Sequence, residues 1–288
     1  MEKKTAVVSK DANVEKTPSP IGGVFASIVI PLALIASVLI YMFVFGNPAN
    51  FEGGDNANHP LPGNYLGIVY KGGWVVPMLL ALNLLVFIFA IERALTISKA
   101  KGTKGVAQFV RTISSKLKQR DVNGAIAACD VQKGSVANVV KAGLLKYKEM
   151  LNEPELLKAE KVAAIQKEIE ESTSLELPML EKNLVIISTI ASISTLVGLI
   201  GTVLGMIKAF SALATSGAPD SVALANGISE ALINTALGIT GSTIAIIAYN
   251  YFTSKIDELT YGIDEAGFSM VSTFTSEHET PAARPHTV

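Results

Sequence analysis

The sequence predicts an all-α integral membrane protein with four transmembrane helices and long cytoplasmic helical extensions. Of its 288 residues, 49% are hydrophobic and only 17% are charged. The mean hydropathy of +0.41 is too high for an ordinary soluble domain. Twenty-five uncharged residues separate Lys182 from Lys208, and twenty-four separate Glu230 from Lys255. Each run exceeds the roughly 20 residues that an α-helix needs to cross the hydrocarbon core.

Four apolar segments are long enough to span a membrane, and they divide the chain. The predicted divisions are a cytoplasmic tail at 1–23, an extra transmembrane helix at 24–45, an external loop at 46–72 and a transmembrane helix at 73–93. A cytoplasmic helical domain at 94–183 follows, and then two transmembrane helices with polar faces at 184–214 and 228–254, joined by an external turn at 215–227. A cytoplasmic C-terminal helix with a disordered tail occupies 255–288. The first apolar segment follows four lysines, so a signal peptide is the alternative. It is longer than the roughly 7 to 15 apolar residues of a signal peptide, which favours a retained helix.

The distribution of basic residues predicts the orientation of the chain. The N-terminal tail contains four, the segment 93–183 contains sixteen, the segment 46–72 contains only Lys71, and 215–227 contains none. Since basic residues concentrate on the cytoplasmic side, both termini and the long middle segment are expected in the cytoplasm.

The middle segment has the periodicity of soluble helices. Apolar residues recur at three- and four-residue spacing over 106–117, 122–129 and 136–150. Asp121 is a plausible N-cap, and Lys133-Gly134 breaks the chain before the third of these helices. A long helix is predicted to run from 153 into the third span, kinked at Pro178 because proline removes a backbone donor.

The third and fourth spans contain more hydroxyl groups and glycines than lipid contact alone requires. Two stripes at seven-residue spacing are Ser188, Thr195 and Thr202 on the third span, and Thr235, Ser242 and Tyr249 on the fourth. One interpretation is a shared polar path, and the other is local bonding of each hydroxyl to a carbonyl four residues back. The glycines Gly198, Gly201, Gly205 and Gly238 are assigned to helix packing. We expect these glycine-bearing faces to join neighbouring copies in a homo-oligomeric ring.

Charged residues occur only near the ends of the spans. Lys208 is expected to extend its ammonium to the membrane surface, while Glu230 begins the fourth span, where the helix dipole favours a carboxylate. No Asp, Glu, Lys or His occupies the middle of a span. A chain of this kind does not relay protons alone, so a partner would have to bring the proton carrier.

Several motifs together resemble the MotA/TolQ/ExbB proton-channel family, and ExbB most closely. Residues 198–210, GLIGTVLGMIKAF, match its GLxGTVxGxxxxF motif, and 228–239, ISEALINTALGI, followed by Tyr249-Asn250, match ISEALxxTAxGL followed by YN. Further matches are Gly72-Gly73-Trp74, Pro77 and Glu92-Arg93 in the first family helix and 121–144 in the cytoplasmic repeat. The resemblance covers about 70–255. Two prolines of the family are absent here, one before the GLxGT motif and one in the stretch before YN. The helix at 24–45 is additional to the family pattern.

The resemblance implies a stator of a proton-driven motor in the bacterial inner membrane. Such proteins form a ring, typically a pentamer, around a dimer of an ExbD/TolR-type single-span partner whose membrane aspartate carries the proton. Thr202 and Thr235 match the family's pore threonines and would face that aspartate. Together with Glu230, Thr195 and Ser242 they form the predicted proton pathway. Proton flow would move the partner and energise transport across the outer membrane through a TonB-like protein.

Other classes of protein remain as alternatives. A TolQ-like subunit for envelope maintenance or a MotA-like stator has the same motifs, whereas a secondary transporter would usually contain its own buried acid or base. A structural membrane scaffold would tolerate loss of the hydroxyls. Twenty-four basic and twenty-five acidic residues give no basic excess for nucleic acid. The lone Cys129 and the scattered His59, His278 and His286 predict no disulfide, metal site or cofactor, and no enzyme activity is expected.

Overall fold

A computed structural model describes residues 21–214 and 220–277. The N-terminal lysines, Pro219, His278, His286 and the tail predicted to be disordered lie outside the described residues. Within the described ranges the regular structure is helical, apart from one isolated antiparallel bridge between Phe51 and Pro60. The helices are α1 Ile21–Leu39, α2 Tyr65–Tyr70, α3 Val76–Lys101, α4 Val106–Lys118, α5 Val122–Gln132, α6 Gly134–Leu151, α7 Lys158–Glu181, α8 Leu184–Leu213 and α9 Ser221–Glu277.

Four helical segments are long and apolar enough to cross a membrane, as predicted. They are Phe25–Phe45, Gly73–Lys118, Lys158–Leu213 and Ser221–Ser276. The predicted fold class is therefore confirmed, and the chain is a multi-pass membrane protein.

The helix α1 is joined to the rest of the chain at both ends. Near its beginning, the Phe25 ring contacts Phe89 of α3 edge to face at 6.1 Å. At the far end, where a π-helical turn at Ile40–Phe45 follows α1, Tyr41 stacks on Tyr70 at 4.7 Å and donates a hydrogen bond to its carbonyl at 3.0 Å. The additional helix is thus packed against the first helix of the family pattern.

The predicted continuous helix from 153 into the third span is interrupted. Helix α7 begins at Lys158, and a two-residue turn at Lys182 and Asn183 separates it from α8. Pro178 lies inside α7, and the break comes four residues after it. The sequence did not indicate this turn, because the side chains that stabilise it come from α3.

Helix α9 differs from prediction in its beginning and its length. It begins at Ser221, so residues 221–227 are helical and do not belong to the predicted turn at 215–227. Asp220 explains the early start, since its Oδ1 accepts the backbone N–H groups of Val222 and Ala223, both at 3.0 Å. The helix then runs unbroken for 57 residues, through the fourth span and beyond it.

Helices α4 to α7 and the C-terminal half of α9 form a bundle around one apolar core. Tyr147 of α6 is fully buried and meets Phe274 of α9 edge to face at 4.9 Å. Asp121 caps α5 as predicted, because its Oδ1 accepts the Gly124 N–H at 2.8 Å. The break at Lys133-Gly134 is also confirmed: both residues have positive φ, and a Cβ on Gly134 would lie 2.4 Å from the Ala100 carbonyl oxygen.

Candidate proton path

Helices α8 and α9 pack antiparallel, with backbones in direct contact at glycines. A Cβ on Gly238 would lie 2.8 Å from the Gly198 Cα, and one on Gly205 would lie 2.6 Å from the Ala231 nitrogen. A Cβ on Gly201 would meet the Asn234 side chain at 2.5 Å. Small residues allow this close approach of membrane helices. The expectation that these glycine faces join neighbouring copies is wrong, because contacts within one chain already cover them.

The close helix pair brings Thr202 of α8 and Thr235 of α9 together. Their hydroxyl oxygens are in direct hydrogen-bonding contact. Each hydroxyl also lies within bonding distance of the carbonyl four residues back, at 3.1 Å for Thr202 to Gly198 and 3.2 Å for Thr235 to Ala231. A hydroxyl has one hydrogen, so one threonine donates to the other while the second donates to its carbonyl. The shared contact therefore coexists with one of the two local bonds at a time.

The hydroxyl pair opens onto an apolar surface. Thr202 is half-buried and lines an open cavity of about 580 Å³ with Met206, Ile207 and Phe210. Thr235 is also half-buried. The Thr202 hydroxyl is thus a polar position on an open face whose other lining side chains are apolar, except for that of Ser211.

The remaining hydroxyls of the two predicted stripes lie in different surroundings. Thr195 is exposed on α8. Ser242 is buried and donates to the Ala191 carbonyl at 2.5 Å, so it ties α9 to the α8 backbone. Ser188 and Tyr249 line one small cavity of about 190 Å³ at the other end of the helix pair. The structure therefore joins the two stripes directly at Thr202–Thr235, whereas Ser188 and Tyr249 only line the same cavity.

Glu230 is buried in an ion pair on another side of α9. The Lys208 Nζ lies 2.6 and 2.8 Å from its two carboxylate oxygens, although Lys208 was expected to extend freely to the membrane surface. The carboxylate faces the turn before α3, since a Cβ on Gly73 would lie 2.4 Å from Oε1. One helical turn on, the Asn234 amide donates to the Gly72 carbonyl at 2.9 Å. Glu230 and Asn234 thus fasten α9 to the start of α3.

A second polar cluster lies at the opposite end of α3, and the sequence indicated only part of it. Arg93 is buried, pairs with Glu92, and donates from Nη1 to the Leu180 carbonyl at 2.9 Å. Glu92 Oε2 also accepts the Asn183 amide at 3.0 Å. These contacts hold the turn between α7 and α8. The Glu92-Arg93 pair at the end of a span was the available signal, whereas nothing in the sequence indicated the roles of Asn183 and Asn234.

Two antiparallel membrane helices in backbone contact, a hydroxyl pair between them, and charged side chains near the ends of the described spans characterise a helical multi-pass membrane protein. The model of the MotA/TolQ/ExbB proton channel family matches residues 132–265. This segment is a MotA/TolQ/ExbB domain, so the resemblance seen in the sequence is confirmed. Since this is a family of proton channels, the prediction that the chain is not an enzyme is also confirmed.

Curated relatives include proteins of both the ExbB and TolQ groups. The chain is similar to the Tol-Pal system protein TolQ of Pseudomonas aeruginosa, with 32% identity over 124 residues, which is 43% of this chain and 54% of that protein. It is 28% identical to an ExbB-like biopolymer transport protein of Synechocystis over 185 residues, 64% of this chain and 82% of the relative. The biopolymer transport protein ExbB of Salmonella typhimurium is 39% identical over 70 residues, 24% of this chain and 29% of that protein. The matched part of the chain thus spans about half the length of the TolQ relative.

Proposed function

We propose that the chain is a ring-forming stator subunit, ExbB-like, that conducts protons together with an ExbD-type single-span partner. The observation that supports this most directly is the contact between the Thr202 and Thr235 hydroxyls. A pair of hydroxyls that donate and accept in turn suits a path along which a proton moves between a partner carboxylate and water. Thr195 and Ser242 would extend the polar stripe toward the cytoplasm.

A partner is required because the spans lack a proton carrier of their own. In the described helices the charged side chains of the membrane region, Glu92, Arg93, Lys208 and Glu230, lie near span ends. The proposed carrier is therefore a membrane aspartate of the partner, packed in the ring against the apolar face beside Thr202. One proton crossing 100 mV releases roughly 2.3 kcal/mol, which is enough to bias the position of a helix.

The proposed arrangement is a homo-oligomer, most simply a pentamer, in the bacterial inner membrane. Both termini and the bundle of α4 to α7 would lie in the cytoplasm, in agreement with the sixteen basic residues of 93–183. The chemical energy would then reach the outer membrane through a TonB-like protein. The similarity to the Pseudomonas TolQ supports a second candidate, in which the same stator maintains the cell envelope.

The test is removal of the two hydroxyls with shape retained. The Thr202→Val, Thr235→Val double variant should assemble normally but lose proton uptake by about tenfold or more, measured with a pH dye in liposomes containing the complex as purified from membranes. The single variants should lose nearly as much, since the hydroxyls act as one unit.

Thr240→Val is the matched control. Thr240 lies on the exposed side of the same helix and bonds only the Ala236 carbonyl, at 2.7 Å. Its loss should leave proton uptake unchanged. Full uptake by the double variant would reject the proposed path and favour a structural scaffold.

A further inference from the structure

The ion pair between Lys208 and Glu230 is strongly asymmetric in burial. The Glu230 side chain is 8% exposed, whereas that of Lys208 is 52% exposed. Both carboxylate oxygens contact the same ammonium, at 2.6 and 2.8 Å. The ammonium can therefore reach water without its partner, but the carboxylate cannot.

The surroundings of Glu230 leave its carboxylate no other cation. On the α3 side it faces the backbone at Gly73, with no room for another side chain. The π-helical turn after α1 contributes Tyr41, whose phenol carries no charge and donates its hydrogen bond to the Tyr70 carbonyl at 3.0 Å. On α9 itself the adjacent polar group is Asn234, and its amide is already directed at the Gly72 carbonyl. Among the described residues, Lys208 alone neutralises the carboxylate.

Burial of an unpaired carboxylate is costly, and the group then takes up a proton instead of staying charged. The structure thus assigns Lys208 a role in the proposed proton path. We propose that Lys208 is a positioning residue, which holds the Glu230 carboxylate in the ion pair and turned toward Gly73, away from the Thr202–Thr235 hydroxyls. Paired in this way, Glu230 does not compete with the partner's carboxylate for protons.

The geometry of the Lys208–Glu230 ion pair does not depend on the proposed function, whereas its expected effect on proton flux rests on that function. Without Lys208, Glu230 becomes a proton-binding group at the outer end of the helix pair. Protons that enter there are held by Glu230, so flux should fall. Loss of Glu230 as well removes the competing site, and flux should recover.

Labelling with the apolar carbodiimide DCCD tests the pairing without reference to proton flux. This reagent modifies protonated carboxyl groups inside membranes. In the assembled complex Glu230 should stay unlabelled in the unsubstituted chain and in Lys208→Arg, but should be labelled in Lys208→Met, as identified by peptide mass. Glu230→Gln gives the blank for this peptide. Equal labelling of the unsubstituted chain and Lys208→Met would overturn the proposal.

Proton uptake by the same preparations tests the consequence. Lys208→Met should reduce uptake by about tenfold and make it depend on external pH, while Lys208→Arg retains most of it. The Lys208→Met, Glu230→Gln double variant should exceed Lys208→Met alone. A purely structural pair would act on assembly instead: Lys208→Met would lower the yield of assembled complex, while uptake per assembled complex would stay unchanged and independent of external pH. The Thr202→Val result tests the path itself, so the two ideas fail separately.

Discussion

Replacing Gly205 with alanine perturbs the α8–α9 contact in a way that the structure makes measurable. The added Cβ would lie 2.6 Å from the Ala231 nitrogen and 2.8 Å from the Gly227 carbonyl oxygen. Both are backbone atoms, which do not turn aside as a flexible side chain does. Ordinary contact of a Cβ begins at about 3.4 Å, so the helices must separate locally by about 0.8 Å.

The separation sets the expected loss of stability. Overpacking of this kind costs about 1–3 kcal/mol, and a gap of this size forfeits a quarter to a half of the dispersion energy of the atoms that move apart. Alanine is a better helix former than glycine by about 1 kcal/mol, which offsets part of the loss. The expected net effect of Gly205→Ala is therefore a destabilisation of up to about 2 kcal/mol, and of about 1–3 kcal/mol relative to a glycine-to-alanine change in the same helix type that meets no backbone.

Gly267→Ala is the matched control, because this glycine is also inside a long helix. Its Cβ would meet only the Ile169 side chain, at 3.5 and 3.6 Å, which is ordinary contact. That variant should be as stable as the unsubstituted chain or slightly more so, through helix propensity. Thermal unfolding in detergent should separate the two variants by several degrees, at roughly 2–4 °C per kcal/mol. Equal unfolding temperatures would refute the inference that backbone contact at Gly205 joins these helices.

Two further predictions concern the cytoplasmic side. Arg93→Met leaves Glu92 without its cation and the Leu180 carbonyl without its donor, so it should lower the stability of the assembled protein by about 3 kcal/mol or more. The control is Lys255→Met, which removes an exposed ion pair and should change the unfolding temperature little. Burial raises the pKa of the Cys129 thiol to about 12, so almost none of it is a reactive thiolate at pH 8. In a Ser115→Cys variant, an impermeant maleimide should therefore label only the new thiol, and only from the cytoplasmic side. Labelling of intact cells would contradict the proposed orientation.

Features that depend on one short stretch of sequence were predictable. The long uncharged runs predicted the four membrane helices, and Asp121 next to a periodic segment predicted the cap that the structure shows. The Thr202 and Thr235 positions came from two local motifs. Each of these signals is complete within about twenty residues, so no knowledge of packing was needed.

Features that depend on helix register were not predictable. Lys208 and Glu230 are 22 residues apart, and they meet because α8 and α9 cross at glycines in one particular antiparallel alignment. The same alignment covers the glycine faces that were assigned to contacts between copies. A hydrophobic pattern shows which face of a helix is apolar, but the partner of that face depends on a fit between backbones that no single segment encodes.

The unbroken α9 has a mechanical consequence. At 1.5 Å per residue its 57 residues extend about 85 Å, and Phe274, in the core of the bundle, lies about 58 Å along the axis from Thr235. Because no hinge separates the two positions, a tilt of about 5° at Thr235 would displace the distant end by about 5 Å if the helix stays straight. A small tilt of α9 at the hydroxyl pair would therefore produce a much larger displacement in the bundle of α4 to α7 that packs around the far end of this helix.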